Sequence, residues 1–504
     1  MKKILTKISA LALSVLFITT SCSKFEEMNI DGNNPSKVPT SYLITYAERD
    51  LNYYINDSRG FAEYGTSYSQ QICGITYTDV DRVELVESSW NGWYANGMAN
   101  LQEVIRLNSD ENTKDAAAAS GSNADQIALA NILLSWGFHN ITDVWGDVPY
   151  TDALQGISNI LPSYDKQEDI YKDLLVRLET AINTMDGGHV DGDHIYGGNM
   201  MMWKKFAGSL MMRIAIRMAH VDATYAKQYY DKGLTVAISS NDENTVYQQL
   251  GTAGNWNGFY DFESIQGRND YAVSHTLINK MGALEDPRIH IYADPIVKLA
   301  DAGVMADLND NPDFRDKFYA NAGGPWVVDG KEYAGQPYGY SNGTSQIIDF
   351  EHVSVVGRYF QDAKATEMIM SYSEVLFLQA EAATIWGGDA SGLYEQAIAA
   401  NMEYYGIEQS KIDAYLAKVP YVDVNSIHEE KWKALFNQGL EAWANWRRTG
   451  VPVLEKAPDS DAGAEIPRRR QYNETEKTLN KSSYDAGVAS MGGDDISTRM
   501  WWDK

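Results

Sequence analysis

Apolar residues recur every three or four positions along most of the chain from Ser41 onward, which is the spacing of an amphipathic helix. Three stretches show it most clearly: WKKFAGSLMMRIAIRMAH, YKDLLVRLETAINTM and IMSYSEVLFLQAEAA. Their periodic apolar positions are, in the same order, Trp203, Phe206, Leu210 and Ile214; Tyr171, Leu174, Leu178, Ile182 and Met185; and Ile369, Tyr372, Leu376, Ala380 and Ala383. Each stretch predicts a helix with one side to bury.

Shorter helical patterns follow the long ones. DATYAKQYYDKGLTVAI comes after the first stretch, and SGLYEQAIAANMEYYG comes after the third. Alanines recur where facing helices would approach closely, as in tetratricopeptide-like helix pairs. We therefore predict a mostly α fold class with a tetratricopeptide-like helix-pair scaffold, an α/α superhelix, formed by residues 41–240 and 368–504.

Residues 241–367 interrupt the helical pattern with Gly, Asn, Asp and Pro among short apolar pieces. Two segments within them are rich in aromatic residues: YANAGGPWVVDGKEYAGQPYGY and NWNGFYDF. Helices tolerate so much Gly and Pro poorly, so these aromatics are expected on loops. The range 241–367 is thus predicted to be a large loop-rich insertion that faces a ligand.

The N-terminus has the layout of a targeting signal. Lys2, Lys3 and Lys7 precede an uncharged run over residues 8–21, which is too short to cross a bilayer, and the lone Cys22 ends the run. We predict a lipoprotein signal peptide at residues 1–21, a lipidated tether at residues 22–40 with the lipid on Cys22, and a single domain at residues 41–504. A secretory signal with an incidental cysteine is the alternative.

The composition narrows the possible partners. The formal charge is −27, from 42 Lys and Arg against 69 Asp and Glu, and it disfavours nucleic acid and anionic lipid, which bind clustered cations. No later segment has the about 18 consecutive apolar residues of a membrane span. With Cys22 assigned to the lipid, Cys73 has no disulfide partner and is expected to be a small buried hydrophobe.

Signals for catalysis are weak. The 8 histidines form no HExxH motif, and the chain has no Walker loop or dinucleotide fingerprint, so we expect no metal, no cofactor and no catalytic residues. A glycosidase needs two carboxylates across a cleft. Glu374 and Glu381 flank an apolar run on a predicted helix, and this setting favours buried pairing with arginine. GHVDGDH is expected to be a turn before the helix that carries Trp203.

Several motifs resemble the SusD/RagB family of Bacteroidetes outer-membrane lipoproteins, in particular its SusD-like branch. They are DVWGDVPYTDAL, YGGNMMMWKKFAGSLMMRIAIRM, SYSEVLFLQAEAA, EKWKALFNQGLEAWANWRRTGVPVL, IPRRRQYNETEKTLN and the terminal RMWWDK. The resemblance implies a cell-surface-facing, lipid-anchored, non-catalytic protein that captures oligosaccharides or polysaccharides. It also implies a partner, a SusC-like TonB-dependent β-barrel transporter that receives the ligand, and some relatives take peptides.

Sugar binding requires exposed aromatic faces with amide and carboxylate groups around them. The candidate ligand-binding residues are Trp326, Trp256, Tyr338, Tyr340, Tyr260, Tyr77, Asp79 and Asn257. The alternative for each loop aromatic is that it only pins its loop to the scaffold. Three other functions remain open: a peptide-binding lid, a structural lid with little affinity of its own, and a surface glycosidase.

Other aromatics are expected in the core. Trp90 and Trp93 belong to a predicted helix that starts near Ser89, and Trp501 and Trp502 are expected to staple the C-terminus to the body. A further set lies at three- and four-residue spacing and is also predicted to be core: Trp432, Leu435, Phe436, Leu440 and Trp443. Arg447 and Arg448 are expected to pair with acidic neighbours.

Overall fold

The structure is a computed structural model and describes residues 38–58, 62–84, 88–321 and 323–503. The predicted signal peptide, Cys22 and residues 22–37 of the tether lie outside these ranges. Among the described residues, no helix combines the length and apolar character needed to cross a membrane.

Helices dominate the part before residue 241. They are α1 (Thr40–Ile55), α2 (Ala62–Tyr68), α3 (Asn91–Trp93), α4 (Ala99–Ser109), α5 (Lys114–Ala117), α6 (Asn123–Trp145), α7 (Gln167–Thr184), α8 (Met200–Met218) and α9 (Ala223–Leu234). A π-helical turn, Tyr94–Met98, joins α3 to α4. Short strands lie between them at β1 (Ile72–Gly74), β2 (Val148–Pro149) and β3 (Tyr164–Asp165).

The central part alternates short helices with short strands. Its helices are α10 (Gly258–Tyr260), α11 (His275–Leu284), α12 (Ile289–Tyr292), α13 (Ala302–Asp310), α14 (Pro312–Phe318) and α15 (Asn342–Ser345). Its strands are β4 (Thr245–Gln248), β5 (Tyr271–Val273), β6 (Trp326–Val328) and β7 (Lys331–Tyr333), and β8 (Thr366–Met370) follows the insertion. The described strands pair in four antiparallel two-stranded sheets, β1 with β5, β2 with β3, β4 with β8, and β6 with β7.

The last part returns to helices. They are α16 (Tyr372–Trp386), α17 (Ala390–Tyr404), α18 (Gln409–Leu416), α19 (Val424–Ala434), α20 (Gly439–Thr449), α21 (Glu474–Leu479) and α22 (Lys481–Met491). The predicted helix that begins at Ile369 starts later than expected. Ile369 lies in β8, and the Ser371 side chain caps α16 by accepting a hydrogen bond from the Glu374 backbone N–H.

Close helix pairs form the scaffold, as the sequence predicts. The backbones of α8 and α9 approach at two glycines, because a Cβ added to Gly208 would lie 2.7 Å from the Gly233 carbonyl oxygen. Leu376 and Phe377 of α16 share a buried cluster with Ala397 and Ile398 of α17. Small residues at such contacts let helix axes approach, and apolar rows on each helix fill the space beside them.

Most of the predicted core positions are buried. The following residues, expected in the core or at the C-terminal staple, have at most 5% of their surface exposed: Trp90, Trp93, Trp432, Leu435, Phe436, Leu440, Trp443 and Trp502. Trp501, expected in the same staple, is only partly buried. Trp502 also donates its indole N–H to Asp143 Oδ1 at 2.9 Å, so the C-terminus is fastened to α6. Cys73 is buried as predicted, and burial raises the pKa of its thiol well above the usual range.

The two carboxylates weighed as catalytic candidates are core ion pairs. Glu374 accepts two hydrogen bonds from the Arg213 guanidinium, both at 2.7 Å. Glu381 contacts Lys431 at 2.8 Å and Arg448 at 2.5 Å. The prediction of buried pairing is therefore confirmed for both.

Arg447 behaves differently from its predicted role. Its guanidinium stacks on Trp443, 3.7 Å from the ring centroid, and donates to the backbone carbonyls of Asp143 and Arg468. Carbonyl oxygens therefore serve as its hydrogen-bond acceptors, in place of the acidic side chain that was expected.

Candidate functional site

A short helical segment carries the first group of candidate residues. Asn257 caps α10, because its side-chain oxygen accepts the Phe259 backbone N–H at 2.9 Å. Its amide nitrogen also donates to Glu367 at 3.3 Å, and only 2% of the residue is exposed. Asn257 therefore fixes the start of this segment through its own hydrogen bonds, and almost none of its surface is accessible to a ligand.

Trp256 lies beside this cap and is partly exposed. Its indole N–H donates to Asp261 Oδ1 at 2.9 Å, and its ring centroid lies 6.1 Å from that of Tyr260, which is also partly exposed. Gln266 donates its amide to the other oxygen of Asp261 at 3.0 Å. Two aromatic rings, a carboxylate and an amide thus meet along residues 256–266, which comprise α10, the π-helical turn Asp261–Ile265 and the residues on either side of them.

Tyr77 faces the far end of the same segment. Its side chain is 61% exposed and its backbone has φ = 60°, in the left-handed region. The Arg268 guanidinium lies 5.3 Å from the centroid of the Tyr77 ring and 5.5 Å from that of Phe262. The structure therefore brings Tyr77 together with the segment that carries Trp256 and Tyr260.

Asp79, predicted at this edge, is held in a local ion pair. Its carboxylate contacts the Arg82 guanidinium at 2.8 Å, and Arg82 also contacts Asp461 at 3.2 Å. The Asp79 side chain stays 37% exposed. It can accept hydrogen bonds from a ligand beside Tyr77 while it orients Arg82.

Two carboxylates stabilise the segments around the site: Glu63, which is partly buried, and Asp81, which is buried. Tyr271 donates its hydroxyl to Glu63 at 2.8 Å. Burial raises the pKa of Glu63, although the hydrogen bond from Tyr271 and the charge of Arg268 act against the shift. Burial likewise raises the pKa of Asp81 to about 7, despite hydrogen bonds from Ser67 and the Gly74 N–H. These groups hold β1 and the loop bearing Tyr77 in place.

Trp326 belongs to a second group, on β6. Its indole N–H donates to Asn279 of α11 at 2.9 Å, and its ring lies against Gly282, where an added Cβ would be 2.3 Å from Trp326 Cγ. One face of the ring is therefore covered by α11, and the residue is only partly exposed. The prediction that Trp326 lies on a loop is wrong, because β6 pairs with β7 in a hairpin.

Tyr338 and Tyr340 were expected to present exposed rings, and this expectation is wrong. Tyr338 is 1% exposed and packs with Cys73 and Ala457. Tyr340 is 7% exposed, donates its hydroxyl to Asp313 and meets Phe314 edge to face. Contacts with segments distant in sequence pin both tyrosines, so neither shows a ring face to solvent.

Arg268 and Asp261 were not predicted as site residues. A lone arginine in SIQGRND gives no local signal, because its partner Tyr77 is far away in sequence. Asp261 lies within the aromatic segment NWNGFYDF, and its position beside those aromatic residues is the sequence feature that could have identified it as a site residue.

Two other features bear on the chemistry. A separate cavity of about 600 Å³ is lined by Trp446, Leu454, Ile466, Arg468 and Ile496, with none of the predicted ligand residues in its wall. Within the described ranges, no three His, Cys, Asp or Glu side chains form a group that could hold a metal ion.

Comparison with solved structures identifies the fold. A chitin-binding protein superposes with a TM-score of 0.75 at 25% identity, over 92% of this chain and 99% of the other. A SusD homolog from Bacteroides fragilis gives 0.74 at 22% identity, over 93% and 100% of the two chains, and one from Bacteroides uniformis gives 0.71 at 23%, over 92% and 97%. The predicted mostly α, tetratricopeptide-like fold class is confirmed.

Sequence comparison identifies the family. No curated protein sequence matches the chain. The SusD-like family model, described as starch-binding and associating with the outer membrane, matches residues 32–473. This range covers the insertion, the aromatic residues described above and the scaffold up to residue 473. The chain therefore belongs to the SusD-like family.

Proposed function

We propose that the protein is a surface-exposed, lipid-anchored glycan-binding protein that captures oligosaccharides and delivers them, uncleaved, to a SusC-like TonB-dependent outer-membrane transporter. The observation that carries the proposal is a group of aromatic rings that solvent can reach: Tyr77 is exposed, Trp256 and Tyr260 are partly exposed, and Arg268 contacts the Tyr77 ring. We call these four residues the aromatic surface.

The chemistry of the aromatic surface suits a sugar. Tyr and Trp rings pack against the apolar face of a pyranose and carry their own hydrogen-bonding groups. Asp261, Gln266 and Asp79 supply carboxylate and amide groups at the ring edges, where sugar hydroxyls would lie. Trp326, with one ring face covered, is proposed as an additional contact at the margin.

The ligand is proposed to be a neutral glycan. A chain with a formal charge of −27 repels anionic polysaccharides at long range. The family description names starch, and one structural relative is named a chitin-binding protein. Starch-type and chitin-type oligosaccharides are therefore the first ligands to test.

The anchor and the partner rest on the family and on the N-terminal sequence. The family is described as associating with the outer membrane. Cys22, after a signal-like run and before a polar stretch, suits attachment of acyl chains. A protein held in this way over a transporter would release its ligand into the pore, with no chemical step required.

The test is a calorimetric titration of the chain expressed without residues 1–22. The ligands are malto-oligosaccharides, chito-oligosaccharides and short peptides, and chromatography follows any product. We expect saturable binding of one glycan class without cleavage. Tyr77→Ala combined with Trp256→Ala should weaken that binding by about tenfold or more, whereas Phe350→Ala, a matched exposed aromatic, should not change it.

Each alternative gives a distinct result in this experiment. Peptide binding alone would identify a peptide-binding lid, and silence across the panel would overturn glycan capture and favour a structural lid. Product release would overturn the non-catalytic function.

A further inference from the structure

The outer face of α1 has an unusual composition. The helix spans Thr40–Ile55, and its exposed residues are Tyr42, Thr45, Tyr46, Arg49 and Tyr53. None of them is acidic, although Asp and Glu outnumber Lys and Arg by 69 to 42 in the chain. Solvent-facing helix positions ordinarily carry charged or polar residues. Three exposed tyrosines on one helix therefore indicate a candidate ligand-binding surface.

The three tyrosines form a row. Positions 42, 46, 49 and 53 fall on one side of an α-helix, because successive positions are four, three and four residues apart. With a rise of about 1.5 Å per residue, Tyr42 and Tyr46 lie about 6 Å apart along the axis, and Tyr46 and Tyr53 about 10.5 Å apart. Their exposed fractions are 67%, 41% and 40%. We call these three residues the tyrosine row.

Packing beneath fixes the C-terminal end of the row. The Tyr53 ring meets the Tyr54 ring edge to face at 5.3 Å between centroids. Tyr54 in turn stacks on the buried Trp93 at 5.4 Å with an interplanar angle of 22°. Tyr53 is therefore supported by the core and loses little conformational freedom when a ligand packs against it.

The tyrosine row leads directly to the aromatic surface. Arg49 donates from its guanidinium to the Gly254 carbonyl at 3.4 Å, two residues before Trp256. The turn that follows packs on the end of α1, because a Cβ added to Gly258 would lie 2.3 Å from Ser58 Oγ and 2.4 Å from Asp57 Oδ1. The C-terminal half of the tyrosine row therefore adjoins the segment that carries Trp256 and Tyr260.

We propose that the tyrosine row is an extension of the glycan site that binds the continuing part of a straight, β-linked chain, such as a chitin-type oligosaccharide. The inference rests on the proposed function, because the aromatic surface would hold the first sugars. The tyrosines are separated along the helix axis by about 6 Å and about 10.5 Å, roughly one and two helical turns, and these separations suit the regular repeat of an extended chain. An α-linked starch chain curves and would leave a straight row after a few sugars.

The shape of the face argues against a protein partner. A stable protein interface needs about 20–30 residues on each side. The exposed face of α1 offers five residues, four of them in a single row, and none of them is aliphatic. The Thr45 hydroxyl donates to the Ser41 and Gly192 carbonyls and lies beside the row. Arg49 lies in the row between Tyr46 and Tyr53, and its guanidinium suits a narrow ligand that is covered with hydroxyl groups.

The test compares chitotriose with chitohexaose by calorimetry, using the chain without residues 1–22. The wild type should bind chitohexaose about tenfold more tightly than chitotriose. Tyr42→Ala, Tyr46→Ala and Tyr53→Ala combined should abolish this advantage and leave chitotriose binding within about twofold. Alanine keeps the helix propensity of α1 high, and Phe350→Ala serves as the control.

A second measurement needs no variant. Hydroxyl-radical footprinting of the wild type should show protection of Tyr42 and Tyr46 by chitohexaose and not by chitotriose. Equal affinity for the two lengths, an unchanged length dependence in the triple variant, or no protection would overturn the extension alone. If neither oligosaccharide binds but malto-oligosaccharides do, the capture function stands and the β-linked extension fails. If no glycan binds at all, both proposals fail.

Discussion

The guanidinium of Arg268 lies between two aromatic rings, 5.3 Å from the centroid of Tyr77 and 5.5 Å from that of Phe262. This contact joins a loop that follows β1 to a segment almost two hundred residues later in the chain. Tyr77 itself has a positive φ, which a bulky residue rarely adopts. The exposed ring is therefore placed before any ligand arrives.

Removal of Arg268 should weaken ligand binding and also lower stability. Arg268 forms an ion pair with Asp270, which is only 8% exposed, in addition to its cation–π contacts. A cation–π contact at an exposed site contributes about 0.5–1 kcal/mol and a surface ion pair about as much, so Arg268→Ala should lower the free energy of unfolding by about 1–2 kcal/mol. Without this support, Tyr77 must be ordered by the ligand, and we expect about three- to tenfold weaker glycan binding by calorimetry. Arg106→Ala, which removes an exposed arginine on α4, is the control. Unchanged affinity for Arg268→Ala would show that Tyr77 needs no such support.

Trp256 and Trp326 should respond differently to truncation. Trp256 lies on the aromatic surface, so Trp256→Ala should weaken glycan binding by about tenfold and change stability little. Trp326 covers Gly282 and donates to Asn279, so Trp326→Ala should lower the free energy of unfolding by about 2 kcal/mol, with the smaller loss of affinity. Calorimetry and urea unfolding of both variants measure the two quantities. A larger affinity loss at Trp326 would move the centre of the site to the β6–β7 hairpin.

The sequence was most informative for the scaffold. In α8, the apolar residues at three- and four-residue spacing, such as Trp203 and Leu210, are all buried in the core. Ile369 was misplaced because its strand is set by pairing of β8 with β4, a contact across more than a hundred residues. Local periodicity carries no information on such a pairing.

The site was less predictable for a similar reason. Composition marks Tyr77 and Tyr338 equally as aromatic residues of loop regions, yet one is 61% exposed and the other 1%. The difference arises from contacts between distant segments, such as Tyr338 with Cys73 and Ala457. Arg268 could not be found at all, because its role depends on where Tyr77 lies.

The contact between Gly208 and Gly233 should be intolerant of a methyl group. In an ordinary helix interior, Gly→Ala raises stability by about 0.5–1 kcal/mol. At Gly208 the new Cβ would lie 2.7 Å from the Gly233 carbonyl and 2.7 Å from Val236 Cγ2, so α8 and α9 must separate. We expect Gly208→Ala to lower the free energy of unfolding by about 1–3 kcal/mol in urea titrations.

Gly343→Ala provides the matched control, because no atom lies within 4 Å of its added Cβ. It should be close to neutral. A stabilised Gly208→Ala variant would show that the two helices can move apart without loss, and the close approach would then carry no energetic weight.

The Glu381 ion pairs should make stability fall in acid. Burial alone would raise the pKa of this carboxyl, but the charges of Arg448 and Lys431 outweigh burial and hold it well below 4.5. A carboxyl with a lowered pKa in the folded state stabilises the protein above its unfolded pKa, and this contribution is lost as the pH falls below about 4.5. At neutral pH, Glu381→Gln leaves two buried cations without their counter-charge, so the free energy of unfolding should drop by about 3–5 kcal/mol.

The same variant tests the sign of the pH dependence. Urea unfolding of wild type and Glu381→Gln between about pH 7 and 3.5 should show a difference in free energy that shrinks below about pH 4.5. In that range Glu381 of the unfolded wild type binds a proton while the folded carboxyl stays ionised, so the unfolded state gains stability, and Glu381→Gln has no such group. Glu111→Gln, at a side chain that is 82% exposed beside Lys114, should show no such trend. A difference that stays constant down to pH 3.5 would mean that the loss in Glu381→Gln comes from packing. The network of Lys431, Arg448 and Glu381 would then contribute little electrostatic free energy to the scaffold.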